Sequence, residues 1–183
     1  MAHVTLILGG ARSGKSALAS RLAEQSGKRI VFIATATTLD DEMAERVQRH
    51  QQERPAHWRT VEASRALSMA ITTHASSEQL LLIDCLTLWL CNLLHDETGQ
   101  AVTDSETAVA GARQQLLDAL NSAPGEIILV ANEVGLGIVP MGALSRRFID
   151  EAGRLNQAIA AQADRVLFVV AGLPMALKGE RPC

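Results

Sequence analysis

The sequence predicts an α/β fold in which a mostly parallel β-sheet carries helices on both faces. Short runs rich in leucine and β-branched residues recur along the chain, at residues 4–8, 30–34, 80–84, 127–131 and 166–171. These runs are continuously apolar, which is typical of strands buried on both faces. Stretches with a helical pattern separate them, and such alternation of strands and helices favours a parallel sheet.

The predicted helices lie between these strands, with glycine and proline near many of the boundaries. They cover residues 15–25, 40–53, 63–74, 86–95, 103–121 and 145–163. The sequence shows no internal repeat or low-complexity linker, and 183 residues suit one domain with a proper core. We therefore expect a single domain over residues 1–183.

Composition favours small-molecule partners. The 17 basic and 20 acidic side chains, with a net charge of −3, give no electrostatic footprint for nucleic acid or anionic lipid. Cys85, Cys91 and Cys183 have neither disulfide-like nor metal-like spacing, which suggests a reducing cytoplasm. The apolar run in MAHVTLILGG is too short for a membrane span or a signal-peptide core, so we expect it to be a buried strand.

A phosphate-binding motif joins the first strand to the first helix. Gly9, Gly14, Lys15 and Ser16 match G-x-x-x-x-G-K-S in that context. Backbone N–H groups and the helix N-terminus would face an anion there, while Lys15 would reach the β- and γ-phosphates and Ser16 would ligate Mg²⁺. The alternative, a glycine-rich turn with an incidental lysine, is disfavoured by the flanking strand and helix. Together with the predicted sheet and its helices, this motif leads us to expect a P-loop NTPase-like (RecA-like) three-layer sandwich.

Asp84 is the predicted metal carboxylate. It ends the run LLLID, and open α/β sheets collect their ligands at the carboxyl ends of neighbouring strands. Asp84 would share Mg²⁺ with Ser16, although an aspartate at a strand end can also be an ordinary turn residue. Glu133, after the next strand, is a weaker competitor for the metal or for a base role. No Asn-Lys-x-Asp stretch is present, which argues against a signalling GTPase.

His50 admits two interpretations. If residues 40–53 form a helix, His50 shares one face with an apolar stripe formed by Leu39, Met43 and Val47. A histidine on such a stripe is more often a half-buried core residue than a catalyst. Alternatively, its neutral imidazole could attack phosphorus and form a phosphoramidate. Arg46 and Arg54 would then stabilise the transferring group, or they would simply form a solvated basic face.

Several segments together resemble one family. They are GGARSGKS (9–16), ATATTLDDEMAERVQRHQQERPAHW (34–58), LLIDCLTLWLCNLL (81–94), NEVGLGIVP (132–140) and RFIDEAGRLNQAIAAQADRV (147–166). This combination spans nearly the whole chain and resembles the bifunctional adenosylcobinamide kinase / adenosylcobinamide-phosphate guanylyltransferases of cobalamin biosynthesis. The first segment alone would indicate only a P-loop protein, whereas the combination is specific.

The resemblance implies a cytoplasmic enzyme, typically a homotrimer, with two activities. It would phosphorylate adenosylcobinamide with ATP or GTP, then transfer GMP from GTP to adenosylcobinamide phosphate to give adenosylcobinamide-GDP. Lys15 and His50 would be catalytic, with His50 carrying the GMP. Some relatives have a second histidine where this chain has Arg49, so His50 alone would be the nucleophile. The kinase base has no sharp sequence mark.

The resemblance also implies a set of nucleotide contacts. In addition to the metal ligands Ser16 and Asp84, the implied contacts are Gly9, Gly10, Ala11, Arg12, Ser13, Gly14, Lys15, Ala34, Thr35, Ala36, Gln51, Gln52, Glu53, Arg54 and Glu62.

Two other functional classes stay open at this stage. One is a simple P-loop small-molecule kinase in which His50 is structural and no covalent nucleotide forms. The other is a non-catalytic, RecA-like nucleotide-binding module. A covalent GMP adduct separates the bifunctional enzyme from both.

Overall fold

A computed structural model describes residues 1–37, 54–96, 99–102 and 106–180. Within these ranges, seven strands form one sheet in the order β3-β2-β4-β5-β1-β6-β7. They are β1 His3–Gly9, β2 Arg29–Ala34, β3 Arg59–Glu62, β4 Gln79–Asp84, β5 Glu126–Asn132, β6 Arg165–Val170 and β7 Leu173–Lys178. All neighbouring pairs are parallel except β6 and β7, which are antiparallel. The predicted, mostly parallel sheet is therefore confirmed.

Helices cover both faces of this sheet. They are α1 Lys15–Gln25, α2 Leu67–His74, α3 Leu86–Leu94, α4 Glu106–Ser122 and α5 Ala143–Gln162. Successive side chains of a strand point to opposite faces, so Ile7 joins the apolar layer under α1 while Leu6 and Leu8 join the layer under α2 to α5. The central strands are therefore buried on both faces, which explains their continuous apolar runs. The sheet with helices on each face is a three-layer sandwich. No helix in the described ranges has both the length and the apolarity needed to cross a membrane.

The two strands that were not predicted lie at the edges of the sheet. β3 is short and mostly exposed, and β7 exposes most of its length, so neither carries a continuous apolar run. Edge strands are often short or marked by charges and proline, and Pro174 in β7 fits that position.

The helix boundaries are close to those predicted, with one clear correction. α2 begins at Leu67 rather than at residue 63, because Ala63 N donates to Ala34 O at 2.8 Å and so continues the ladder of β3. α3 ends at Leu94, one residue before its predicted end, whereas α1 has the predicted bounds. The predicted helix over residues 40–53 lies outside the described residues, as does the predicted start of α4 at residue 103.

A buried carboxylate links α4 to α5. Glu151 is only 4% exposed, and its Oε2 lies 2.8 Å from Arg113 Nη1 on α4. Its other oxygen, Oε1, accepts from Arg154 Nη1 one helical turn further along α5. Burying a carboxylate is costly unless it is paired, so the two arginines offset the cost of its burial.

We expect removal of Arg113 to destabilise the fold more than removal of Arg154. Arg113 is the more buried partner, with 24% of its side chain exposed against 57% for Arg154. Arg113→Ala should lower the free energy of unfolding by about 1–2 kcal/mol, since Arg154 remains to compensate part of the charge. Arg154→Ala should cost about 0.5 kcal/mol or less. Urea unfolding measures both, and equal losses would contradict this account of the pair.

Candidate nucleotide-binding site

The phosphate-loop motif lies between β1 and α1, at the carboxyl edge of the sheet. A methyl group at Gly9 would come within 2.6 Å of Val169 O, so the close approach of β6 excludes a side chain there. Gly14, which caps α1, has a φ of +97°, and a methyl group on it would lie 3.1 Å from Gly172 Cα. Gly172 N also donates to Ser13 O at 2.8 Å. Tight packing against β6 and the following turn therefore requires both glycines of the motif.

Lys15 and Asp84 are brought to the same site. Lys15 is 7% exposed, and its Nζ donates to Gly10 O at 2.9 Å across the loop. Burial lowers the pKa of Lys15, and the negative charge of Asp84 acts in the opposite direction. The motif lysine and the predicted metal carboxylate thus interact electrostatically, although they come from different strand–helix junctions.

Three predicted residues meet at the ends of adjacent strands. Ala34, the last residue of β2, pairs with Glu62 on β3 and with Asp84 on β4. Because these strands are parallel, their ends lie at the same edge of the sheet. The register therefore places one carboxylate residue on each side of Ala34, Glu62 on β3 and Asp84 on β4.

Thr35 continues this edge with a buried side chain. Its Oγ1 donates to Cys85 O at 2.7 Å and accepts from Cys85 N at 2.8 Å, so it fixes the residue that follows Asp84. Burial, with the charge of Asp84, raises the pKa of the Cys85 thiol to about 12. The thiol therefore stays protonated at neutral pH, which makes it a poor nucleophile.

Arg54 is a partly buried cation and not part of a fully solvated basic face. Its guanidinium carbon lies 3.7 Å from the centroid of the Phe32 ring, which stacks in turn on Trp58. Burial lowers the pKa of Arg54, whereas the charges of Asp84 and Glu62 raise it. Within the described part of the chain its Nε is buried and has no hydrogen-bond partner. A cation held on an aromatic ring beside two carboxylates is well placed to meet an anionic ligand.

The other predicted residues fall into two groups. Gly10, Ala11, Arg12, Ser13 and Ser16 lie in the loop and the first turn of α1, and Ala36 follows Thr35. His50, Gln51, Gln52 and Glu53, together with Arg46, lie outside the described residues.

Glu133, the alternative carboxylate, is held by its own loop. Its N–H donates to Gly9 O at 3.0 Å, and its Oε1 accepts from Gly135 N at 2.7 Å. The side chain lines an open groove against α5. Phe32 and Asn92 also contact the predicted site residues, but sequence reasoning did not single them out. Both lie in apolar runs that carry no local signal of a polar contact.

Comparison with solved structures identifies the fold class. A Pyrococcus horikoshii protein from a structural study matches with a TM-score of 0.57 at 9% identity, covering 98% of this chain and 87% of that chain. The RadB recombinase matches with a TM-score of 0.50 at 15% identity, covering 90% and 73%. With the loop geometry, these likenesses define the fold as that of a RecA-like P-loop NTPase.

Sequence comparison identifies the family. The model of the cobinamide kinase / cobinamide phosphate guanyltransferase family matches residues 5–177. The bifunctional adenosylcobalamin biosynthesis protein CobP of Pseudomonas aeruginosa is 55% identical over 175 residues, which cover 96% of this chain and 97% of that protein. Its counterpart CobU of Escherichia coli is 42% identical over 179 residues, covering 94% and 98%.

The chain therefore belongs to the cobinamide kinase / cobinamide phosphate guanyltransferase family, as the resemblance of its motifs predicted. Membership also confirms the expectation of an enzyme in the kinase and guanylyltransferase class.

We expect Lys15→Ala to impair every nucleotide-dependent reaction of the protein. A buried positive charge aimed at the phosphates stabilises bound triphosphate and its transition state, and losing such a contact typically lowers rates about 10²- to 10³-fold. Steady-state rates with ATP and GTP would measure this effect. Lys28→Ala is the matched control, since Lys28 pairs with Glu126 at the opposite end of β5. Rates that survive Lys15→Ala within a few-fold would contradict the phosphate-loop assignment.

Proposed function

We propose that this protein phosphorylates adenosylcobinamide with ATP or GTP, and then transfers GMP from GTP to adenosylcobinamide phosphate through a covalent His50–GMP intermediate. One observation carries the proposal: in a chain of this family, Lys15, Arg54, Glu62 and Asp84 converge at the carboxyl edge of the sheet. Two fixed cations and two carboxylates form a site suited to a metal-bound triphosphate.

For the kinase reaction, the phosphate loop would hold the triphosphate of the donor. The N–H groups at the start of α1 and the Lys15 ammonium would bind the phosphates, and the hydroxyl of the acceptor would attack the γ-phosphorus. Ser16 and Asp84 supply the hydroxyl and carboxylate oxygens that Mg²⁺ prefers, and the charge of Asp84 already acts on Lys15, the neighbour of Ser16. Mg²⁺ held by these residues would neutralise charge on the phosphates.

For guanylyl transfer, a neutral nitrogen of His50 would attack the α-phosphorus of GTP. The bond from that phosphorus to the bridging oxygen breaks, and pyrophosphate leaves. A phosphate oxygen of adenosylcobinamide phosphate then attacks the same phosphorus, the P–N bond breaks, and the imidazole is released unchanged. Arg54, fixed on Phe32, would stabilise the negative charge that develops on the transferring group. The role of His50 itself rests on the family resemblance.

We also propose a cytoplasmic homotrimer that binds no nucleic acid. The net charge of −3 supports the last point, and the free thiols of Cys85 and Cys91 support a reducing compartment. Large apolar side chains between β5 and α5 support contacts between copies, because such exposed patches mark interaction sites. They are Leu136, Ile138, Val139 and Met141, each at least 73% exposed.

We expect Asp84→Asn to raise the Mg²⁺ concentration needed for half-maximal rate. The amide keeps the shape of the side chain but loses the charge that attracts the metal, so the fold should survive while the Mg²⁺ dependence shifts. Asp118→Asn, an isosteric change on the exposed face of α4, is the control. An unchanged Mg²⁺ titration with normal activity would remove Asp84 from the site and favour Glu133.

We expect His50→Ala to abolish guanylyl transfer while phosphorylation of the acceptor continues at a substantial rate. With GTP labelled at the α-phosphate, the wild-type protein should form an adduct that is labile in acid and stable in alkali, as a P–N bond requires. Labelling should fall at acidic pH, because a protonated imidazole cannot attack phosphorus.

His74→Ala, which changes a histidine at the end of α2, is the control for that experiment. An acid-labile adduct that persists in His50→Ala would move the nucleophile to another histidine, with His57 next to be tested. A wild-type protein that forms no adduct under any Mg²⁺ and GTP condition would instead favour a simple kinase.

A further inference from the structure

Asn92 is a buried polar residue in the otherwise apolar helix α3. It is 8% exposed, and its side-chain amide contacts two separate segments of the chain. Nδ2 donates to Thr35 O at 2.7 Å and to Ser64 O at 3.0 Å, and Oδ1 accepts from Thr37 Oγ1 at 2.9 Å. Both donor hydrogens of the amide are therefore used, and its oxygen accepts a third hydrogen bond.

The partners of Asn92 all lie beside predicted site residues. Thr35 and Thr37 follow Ala34 at the end of β2, and Ser64 comes shortly after Glu62 at the end of β3. α3 itself starts at Leu86, just after Asp84 at the end of β4. One amide thus ties together the segments that leave three adjacent strands at the carboxyl edge.

α3 has contacts with the rest of the fold besides those of Asn92. The helix buries Leu86, Trp89, Leu90 and Leu94, and Trp89 Nε1 donates to Arg65 O at 2.9 Å. What Asn92 adds is its hydrogen bonds to Thr35 and Thr37, which hold residues 35–37. Thr35 itself has a second, separate anchor, because its side chain bonds the backbone of Cys85, next to Asp84.

We propose that Asn92 is a positioning residue for guanylyl transfer. It fixes the backbone of residues 35–37 relative to Glu62 and Asp84, and the chain continues from residue 37 into the segment that contains His50. Asn92 acts through this backbone and not by touching the substrate. The inference rests on the proposed function for the role of His50, whereas the anchoring contacts are those of the described residues.

The expected effect separates the two reactions. In Asn92→Ala, kcat for guanylyl transfer should fall about 10- to 100-fold, since small misplacements of a reacting group cost that much. The KM for GTP and the kinase rate should change by less than about threefold, because the pairing of β2 with β4 and the bonds from Thr35 to Cys85 still hold Ala34 and Thr35 beside Asp84 when the amide is removed.

Thr37→Val tests the same link with little risk to folding. It removes the hydroxyl bonded to Asn92 but keeps the size of the side chain and both Nδ2 bonds. We expect guanylyl transfer to fall about tenfold, and the Asn92→Ala/Thr37→Val double variant to be no more than about twofold slower than Asn92→Ala, since both changes break one linkage. Thr72→Val, which removes a hydroxyl bonded to Ser68 O within α2, is the matched control.

Ile159→Val, a mild change in the core under α5, controls for general destabilisation. Loss of guanylyl transfer and kinase activity in equal measure, or losses matched by Ile159→Val, would overturn the positioning role.

If Asn92→Ala does not fold, Thr37→Val alone decides, and an unchanged transfer rate there overturns the proposal. Guanylyl transfer that proceeds without a His50 adduct would contradict the proposed function. The transfer and kinase rates of the variants would still test whether Asn92 is a positioning residue. A wild-type protein without guanylyl transfer would overturn both.

Discussion

Main-chain hydrogen bonds between β2 and its two neighbours set the register on which the site depends. Ala34 pairs with Glu62 on one side and with Asp84 on the other. A slip of one residue in β4 would turn Asp84 to the opposite face and exchange the places of Leu82 and Ile83, which are buried in different apolar layers. The two layers of the core therefore hold the strands in register, and the register holds the carboxylates at the edge where the phosphate loop begins.

The site at the carboxyl edge of the sheet also depends on the balance between its positive and negative charges. Lys15 and Arg54 are both partly desolvated, so each would be costly to keep charged without the carboxylates of Asp84 and Glu62 nearby. Arg54 gains further support from the face of Phe32. Charges that are held in place before a ligand binds need little reorganisation when it arrives, and that preorganisation is what phosphoryl and nucleotidyl transfer require.

The parts of this arrangement that depend on local sequence could be predicted, and those that depend on distant contacts could not. The bounds of α1 and the loop before it follow from the spacing of Gly9, Gly14 and Lys15. β3 and β7 escaped prediction because edge strands need no continuous apolar run. The sequence left Arg54 open between a solvated face and a site residue, since its contact with Phe32 crosses from one segment to another. The role of Asn92 could not be predicted, because one asparagine in LTLWLCNLL does not indicate which distant backbone groups it will contact.

We propose that one triphosphate site forms where the phosphate loop meets the ends of β2, β3 and β4. A crystal structure with a non-hydrolysable GTP analogue and Mg²⁺ tests it most directly. We expect the phosphates to lie against residues 9–16, Lys15 Nζ to exchange its bond with Gly10 O for a phosphate oxygen, and the metal to lie between Ser16 and Asp84. A triphosphate bound elsewhere, with Lys15 still bonded to Gly10 O, would contradict the account.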